Sequence, residues 1–287
     1  MLSSKATMRG VLPVALIRRP GVRARTALPA LVAAAALAAG ALPVPAAAGA
    51  RPWPHFDAGC RRADFASPAG QVRAEACEPL QARAGHPAVV VLYGCGGFGS
   101  LDHGLAEQLP RIGVATLYVD YFWPTPPPSR RGWCGGGARS AFDTWRQEIV
   151  AAATAAGRLP GVAPGRIGVV GWSLGAALAL VTAEDGDAPL GSAARPPRLF
   201  RALVSYSGGA FGPVLDGVGR LPPTLVLSAG STDAVPLADA LALHSALLAH
   251  RVPTSLYVYP HGSHSWPGAQ GRAALRRTEA FLRRWLV

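Results

Sequence analysis

Arg166-Ile167-Gly168-Val169-Val170-Gly171-Trp172-Ser173-Leu174-Gly175 is the stretch on which the fold turns. Its apolar, β-branched run Ile167–Val170 reads as a buried strand. It leads directly into Gly-x-Ser-x-Gly, and from there into the apolar stretch Leu174–Ala183, which reads as a helix. Glycines on either side permit a turn too tight for larger side chains and hold the serine exposed between strand and helix. A serine hydroxyl is a weak nucleophile at neutral pH, so Ser173 requires a base that takes its proton. In a chain with 34 glycines the pattern could be a plain Gly-rich turn. Its place between a strand and a helix argues for the nucleophile instead.

The same alternation extends outward. Short apolar runs bounded by Gly, Pro or Ser predict strands at Val72–Cys77, Ala88–Leu92, Ala115–Val119, Ala202–Ser205, Thr224–Leu227 and Ser255–Tyr259. Helical stretches are predicted near Asp102–Arg111, Ser140–Ala156, Asp239–His250 and Ala269–Trp285. Strands alternating with helices predict an α/β domain with a mainly parallel sheet covered on both faces. In such sheets ligands bind beyond the carboxyl ends of the strands. Four places satisfy that condition: the turn after Leu92, Ser173, Asp233 and the histidines after Tyr259.

Each has a chemical task. His261 and His264 both follow the last strand and both qualify as the base. A carboxylate must orient the histidine and offset its developing charge, and Asp233 lies after the preceding strand, giving the order Ser, Asp, His. Asp216 precedes its strand, and Asp239 reads as a helix start. The tetrahedral intermediate needs N–H donors for its oxyanion. These are expected from Leu174, at the helix N-terminus, and from Tyr93-Gly94-Cys95-Gly96-Gly97, foremost Cys95. That turn lacks the Lys and Ser/Thr of a phosphate loop.

The first fifty residues differ in kind. They hold six basic residues and no acid, then an apolar run from Ala27 to Leu42, then small residues up to Ala50. This order is that of an export signal, with cleavage expected near Ala48 or Ala50. The run is too short and alanine-rich to anchor the chain, so no stable membrane span is expected after cleavage. The formal charge is +12, but without this segment 22 basic residues face 16 acidic ones, a net +6. Arginine is scattered without the stripes that track nucleic acid, which argues against a nucleic-acid partner. Residues 51–85 read as an N-terminal extension with the first strands, and residues 86–287 as the core. Cys60, Cys77, Cys95 and Cys134 lack the spacing of a metal site, and an even number in an exported chain reads as two disulfides. Neither metal nor cofactor is expected.

Together these segments resemble the dienelactone hydrolase family of α/β-hydrolases, in particular its exported serine members. The resemblance spans roughly Ala88 to Val287 and rests on Val89 through Gly97, Asp120-Tyr121-Phe122, Arg166 through Ser173, Gly230-Ser231-Thr232-Asp233 and Tyr259 through Trp266. In that family the histidine precedes a small residue and an aromatic, as in His264-Ser265-Trp266, which favours His264. Dienelactone-cleaving members use cysteine where this chain has Ser173, and Tyr93 replaces the usual histidine before the oxyanion turn. The resemblance implies an α/β-hydrolase fold and hydrolysis of a small ester or lactone, in the periplasm, outside the cell or at the envelope. About sixteen residues separate Ser207 from Thr224, too few for a helical cap. Trp123, Trp133 and Trp172 are the expected walls of the substrate pocket. In the family's fold the strands ending at Leu92 and Val119 are neighbours, which implies the pairs Cys95–Cys134 and Cys60–Cys77. The competing functions are a peptidase or acyltransferase on the same triad, or a hydrolase fold that only binds.

Overall fold

Val89, Val90, Val91 and Leu92 are all buried because the strand that carries them is covered on both faces, and alternate residues enter two separate apolar cores. The chain is seen in a computed structural model that describes residues 56, 59–124, 139–186, 188, 197–209 and 217–287. Its strands are β1 (Cys60–Arg62), β2 (Phe65–Ser67), β3 (Gly70–Cys77), β4 (His86–Leu92), β5 (Ala115–Asp120), β6 (Val162–Trp172), β7 (Ala202–Tyr206), β8 (Thr224–Ser228) and β9 (Thr254–Val258). The helices are α1 (Ser100–Arg111), α2 (Arg139–Ala156), α3 (Leu174–Asp185), α4 (Leu237–Ala249) and α5 (Gly268–Trp285).

The sheet runs in the order β1-β3-β5-β4-β6-β7-β8-β9, with β2 also on β3. From β5 to β9 all pairs are parallel, while β3 is antiparallel to β5. Leu101, Leu105 and Leu109 of α1 and Ala274 and Leu282 of α5 fill one core. Trp145 and Ile149 of α2, Leu178 and Leu180 of α3, and Leu243 and Leu247 of α4 fill the other. The chain leaves β4 toward β5 on one side and returns to β6 on the other. In open parallel sheets such a reversal is where the ligand crevice lies, beyond the carboxyl ends of the strands, here β4 and β6.

Every residue of α3 from Gly175 to Asp185 is buried. A helix apolar all round belongs inside a domain, and α3 packs between β6, β7 and α2. No helix among the described residues is long and apolar enough to cross a membrane.

The expected strands and helices are present, with shifted ends. β6 begins at Val162, five residues before the predicted start, across an irregularity in its pairing with β4 between His86 and Ala88. The region before residue 85, expected to hold one strand, also forms β1 and β2, which pair with β3. Cys60 and Cys77 face each other in the β1–β3 register and are joined by a disulfide. Cys95 is also disulfide-bonded, and Cys134, its expected partner, lies outside the described residues. So does the expected export segment, residues 1–50.

Candidate active site

Gly171 and Gly175 hold the turn between β6 and α3 shut. A Cβ on Gly171 would overlap the Gly175 carbonyl, and one on Gly175 would overlap the carbonyls of Leu92 and Tyr93. The serine between them takes φ 54°, in the left-handed region that L side chains rarely occupy. The Ser173 N–H donates to the Tyr206 carbonyl at 2.8 Å, which ties the turn to the end of β7. The turn after β4 lies against this elbow. A Cβ on Gly94 would stand 3.1 Å from Cβ of Ser173. The Gly97 N–H closes that turn on the Gly94 carbonyl at 2.9 Å. Gly94, which precedes Cys95, thus lies against Ser173, and Leu174 begins α3, where the first N–H groups have no acceptor within the helix.

Ser173, His264 and Asp233 come together although they lie up to 91 positions apart. Nε2 of His264 is 3.0 Å from Oγ of Ser173, and its Nδ1 is 2.5 Å from Oδ1 of Asp233. The Asp233 side chain is 1% exposed and that of His264 28%. Burial alone would raise the pKa of Asp233. Hydrogen bonds from His264, Ser207, and the N–H groups of Ala229 and Val235 outweigh it and hold the carboxyl below its ordinary value. The carboxyl is therefore favoured in its ionised form.

The loop bearing His264 is tied down along its length. The Thr232 hydroxyl donates to the Gly262 carbonyl, Gln270 accepts from the Ser263 N–H at 2.7 Å, and its amide donates to the Ser263 carbonyl at 3.1 Å. The indole N–H of Trp172 donates to the His264 carbonyl at 3.0 Å. Trp172, expected as a pocket wall, thus also fixes the histidine loop. His261 is exposed, and its backbone bridges to Gly230. Asp239 lies in the first turn of α4, and Asp216 lies outside the described residues.

The other two expected walls are Trp123 and Trp133. Trp123 is 43% exposed with the Arg73 guanidinium 3.0 Å above its ring. Trp133 lies outside the described residues. Sequence reasoning missed Ser207, the first residue after β7, whose hydroxyl is 2.6 Å from Oδ2 of Asp233. Its position just beyond a parallel strand was the available signal. Among the described residues no group of three or more His, Cys, Asp or Glu is placed to hold a metal ion.

Comparison with known proteins bears on this arrangement. A search of curated protein sequences finds no match. Among solved structures, a dienelactone hydrolase candidate from Klebsiella pneumoniae subsp. pneumoniae superposes with TM-score 0.64 at 18% identity, over 79% of this chain and 98% of its own. Est1E from Butyrivibrio proteoclasticus gives TM-score 0.57 at 18% identity, over 79% and 100%. The acylaminoacyl peptidase of Pyrococcus horikoshii gives 0.59 at 16%, over 78% of this chain and only 40% of the peptidase. At such identities these likenesses concern the fold. The profile of the Dienelactone hydrolase family matches residues 73–284, nearly the whole sheet with its helices, and the chain belongs to that family of α/β-hydrolases.

Proposed function

We propose that this chain is a serine hydrolase that cleaves a small carboxylic ester or lactone through an acyl-enzyme on Ser173. The observation that carries the reading is the unbroken hydrogen-bonded line from Ser173 through His264 to Asp233, in a chain of a hydrolase family. As Oγ of Ser173 attacks the ester carbonyl carbon, its proton passes to Nε2 of His264. Asp233 holds the ring by Nδ1–H and offsets the charge it gains. The carbonyl electrons move onto oxygen, and the N–H groups of Cys95 and Leu174 donate hydrogen bonds to that oxyanion, each worth roughly 3–4 kcal/mol in such a site. His264 then protonates the leaving alcohol oxygen, or the ring oxygen of a lactone, as the C–O bond breaks. A water, deprotonated by His264, then attacks the acyl carbon; the C–Oγ bond breaks, His264 returns the proton to Oγ of Ser173, and the acid is released.

Export to an oxidising compartment is part of this proposal, supported by the Cys60–Cys77 disulfide and the layout of residues 1–50. The substrate class is tested with a panel of short-chain and long-chain esters, lactones and amides. Turnover of short esters or lactones well above amides is expected. Preference for amides would move the reading to a peptidase.

A further inference from the structure

Among the described residues, three of the four non-glycine residues with positive φ stand at this site: Ser173, Ser207 and Trp266. L side chains enter that region at a cost, and such strain gathers where a side chain must be aimed. The reason at Ser173 has been given. At Ser207, φ 47° starts the turn out of β7, with its N–H on the Leu227 carbonyl at 2.7 Å and its hydroxyl on Asp233. At Trp266, φ 53° turns the chain just after His264, and the indole lies 1% exposed between Tyr206 and Tyr259.

The indole N–H of Trp266 lies 3.1 Å from Oγ of Ser207. An indole N–H can only donate, and a serine hydroxyl has one hydrogen. Trp266 therefore takes one of the two lone pairs of Ser207, and the hydroxyl hydrogen goes to the carboxylate, onto Oδ2 of Asp233. That oxygen also accepts the Ala229 N–H at 2.9 Å. With two donors on Oδ2, the carboxylate turns Oδ1 toward His264. We propose that Ser207 and Trp266 form a fixed relay that positions Asp233, closing a ring from the residue after β7 to the histidine loop. This proposal rests on the triad reading above. Neither residue touches the reacting atoms, so both are positioning residues. Their strained backbones follow from that task, because the ring closes only if the chain turns sharply after β7 and after His264.

The test uses Ser207→Gly and Trp266→Phe. Glycine keeps φ 47° without strain and removes the small CH2OH group with its hydroxyl. Phenylalanine keeps a buried aromatic ring, though a smaller one, and removes the N–H. For Ser207→Gly, kcat on a short-chain ester should fall about ten-fold to a hundred-fold, as for loss of a hydrogen bond to a charged group, with KM nearly unchanged. Trp266→Phe should lose less, and the double variant should be no worse than Ser207→Gly alone, because the two act in one chain. A second readout is independent of turnover. Exchange with water of the imidazole Nδ1–H of His264, followed by NMR, should quicken about ten-fold in Ser207→Gly as the carboxylate loosens. A kcat within about twofold with unchanged exchange, or losses that add in the double variant, would overturn the relay. If the wild-type chain turns over no ester, the function proposed above fails, and the exchange measurement still decides the relay.

Discussion

Three positions separate His261 from His264, and their surroundings differ completely. His264 sits between Ser173 and Asp233, whereas His261 points to solvent with only its backbone engaged. His264→Ala should therefore cost esterase activity as much as Ser173→Ala, about four orders of magnitude or more, with the double variant little worse than either. His261→Ala should stay within about twofold. Steady-state kinetics on the four variants checks this, and equal losses at both histidines would leave the base unassigned. From the residues alone both histidines qualified, since both follow the last strand. Only the neighbours Ser265 and Trp266 separated them, through the resemblance. Ser207 escaped because serine after a strand carries no motif. Its meaning comes from Asp233 and Trp266, which are 26 and 59 positions away.

At the scale of elements, the buried strands were legible because a strand covered on both faces must be almost wholly apolar. β1 and β2 were not, for each has three residues, none of them buried, too few to show a period. They exist because β3 offers a free edge and Cys77 a covalent partner for Cys60. The elbow is where β4, β6 and α3 meet, and it depends on the absence of one methyl group. Gly175→Ala must push α3 away from the Leu92 and Tyr93 carbonyls, so it should destabilise the fold by about 1–3 kcal/mol and lower kcat as well. Thermal melting beside ester turnover tests this. A variant with unchanged melting temperature and activity would show that the contact is not tight.

The whole molecule carries an electrostatic signature apart from the site. Glu148 on α2 is wholly buried, and neither carboxyl oxygen has a hydrogen-bond partner among the described residues. Burial, with Asp120 nearby, raises its pKa to about 8, and burial raises that of Asp102 to about 7. The folded chain keeps these protons where the unfolded chain has released them. Their contribution to stability is thus complete at acid pH and is lost as pH rises from the ordinary carboxylate range through about 7 and 8. Asp233 acts in the opposite sense, its contribution being lost as pH falls through its depressed value. Glu148→Gln should remove part of the alkaline decline. Its melting temperature should gain about 2–4 °C on the wild type between about pH 5 and pH 9, the shift produced by about 1 kcal/mol in a domain of this size. A difference independent of pH would contradict a protonated Glu148.

The parallel sheet and the crevice at its strand reversal follow from the alternation of apolar runs, and the chemistry proposed for that crevice depends on one atom, Oγ of Ser173. The most direct measurement is covalent labelling of the whole chain with a fluorophosphonate, followed by peptide mapping, in the wild type and in Ser173→Ala. The account predicts one phosphonylated residue, Ser173, lost labelling and lost ester hydrolysis in the variant, and an unchanged melting curve. Labelling or hydrolysis that persists in a folded Ser173→Ala chain would contradict it.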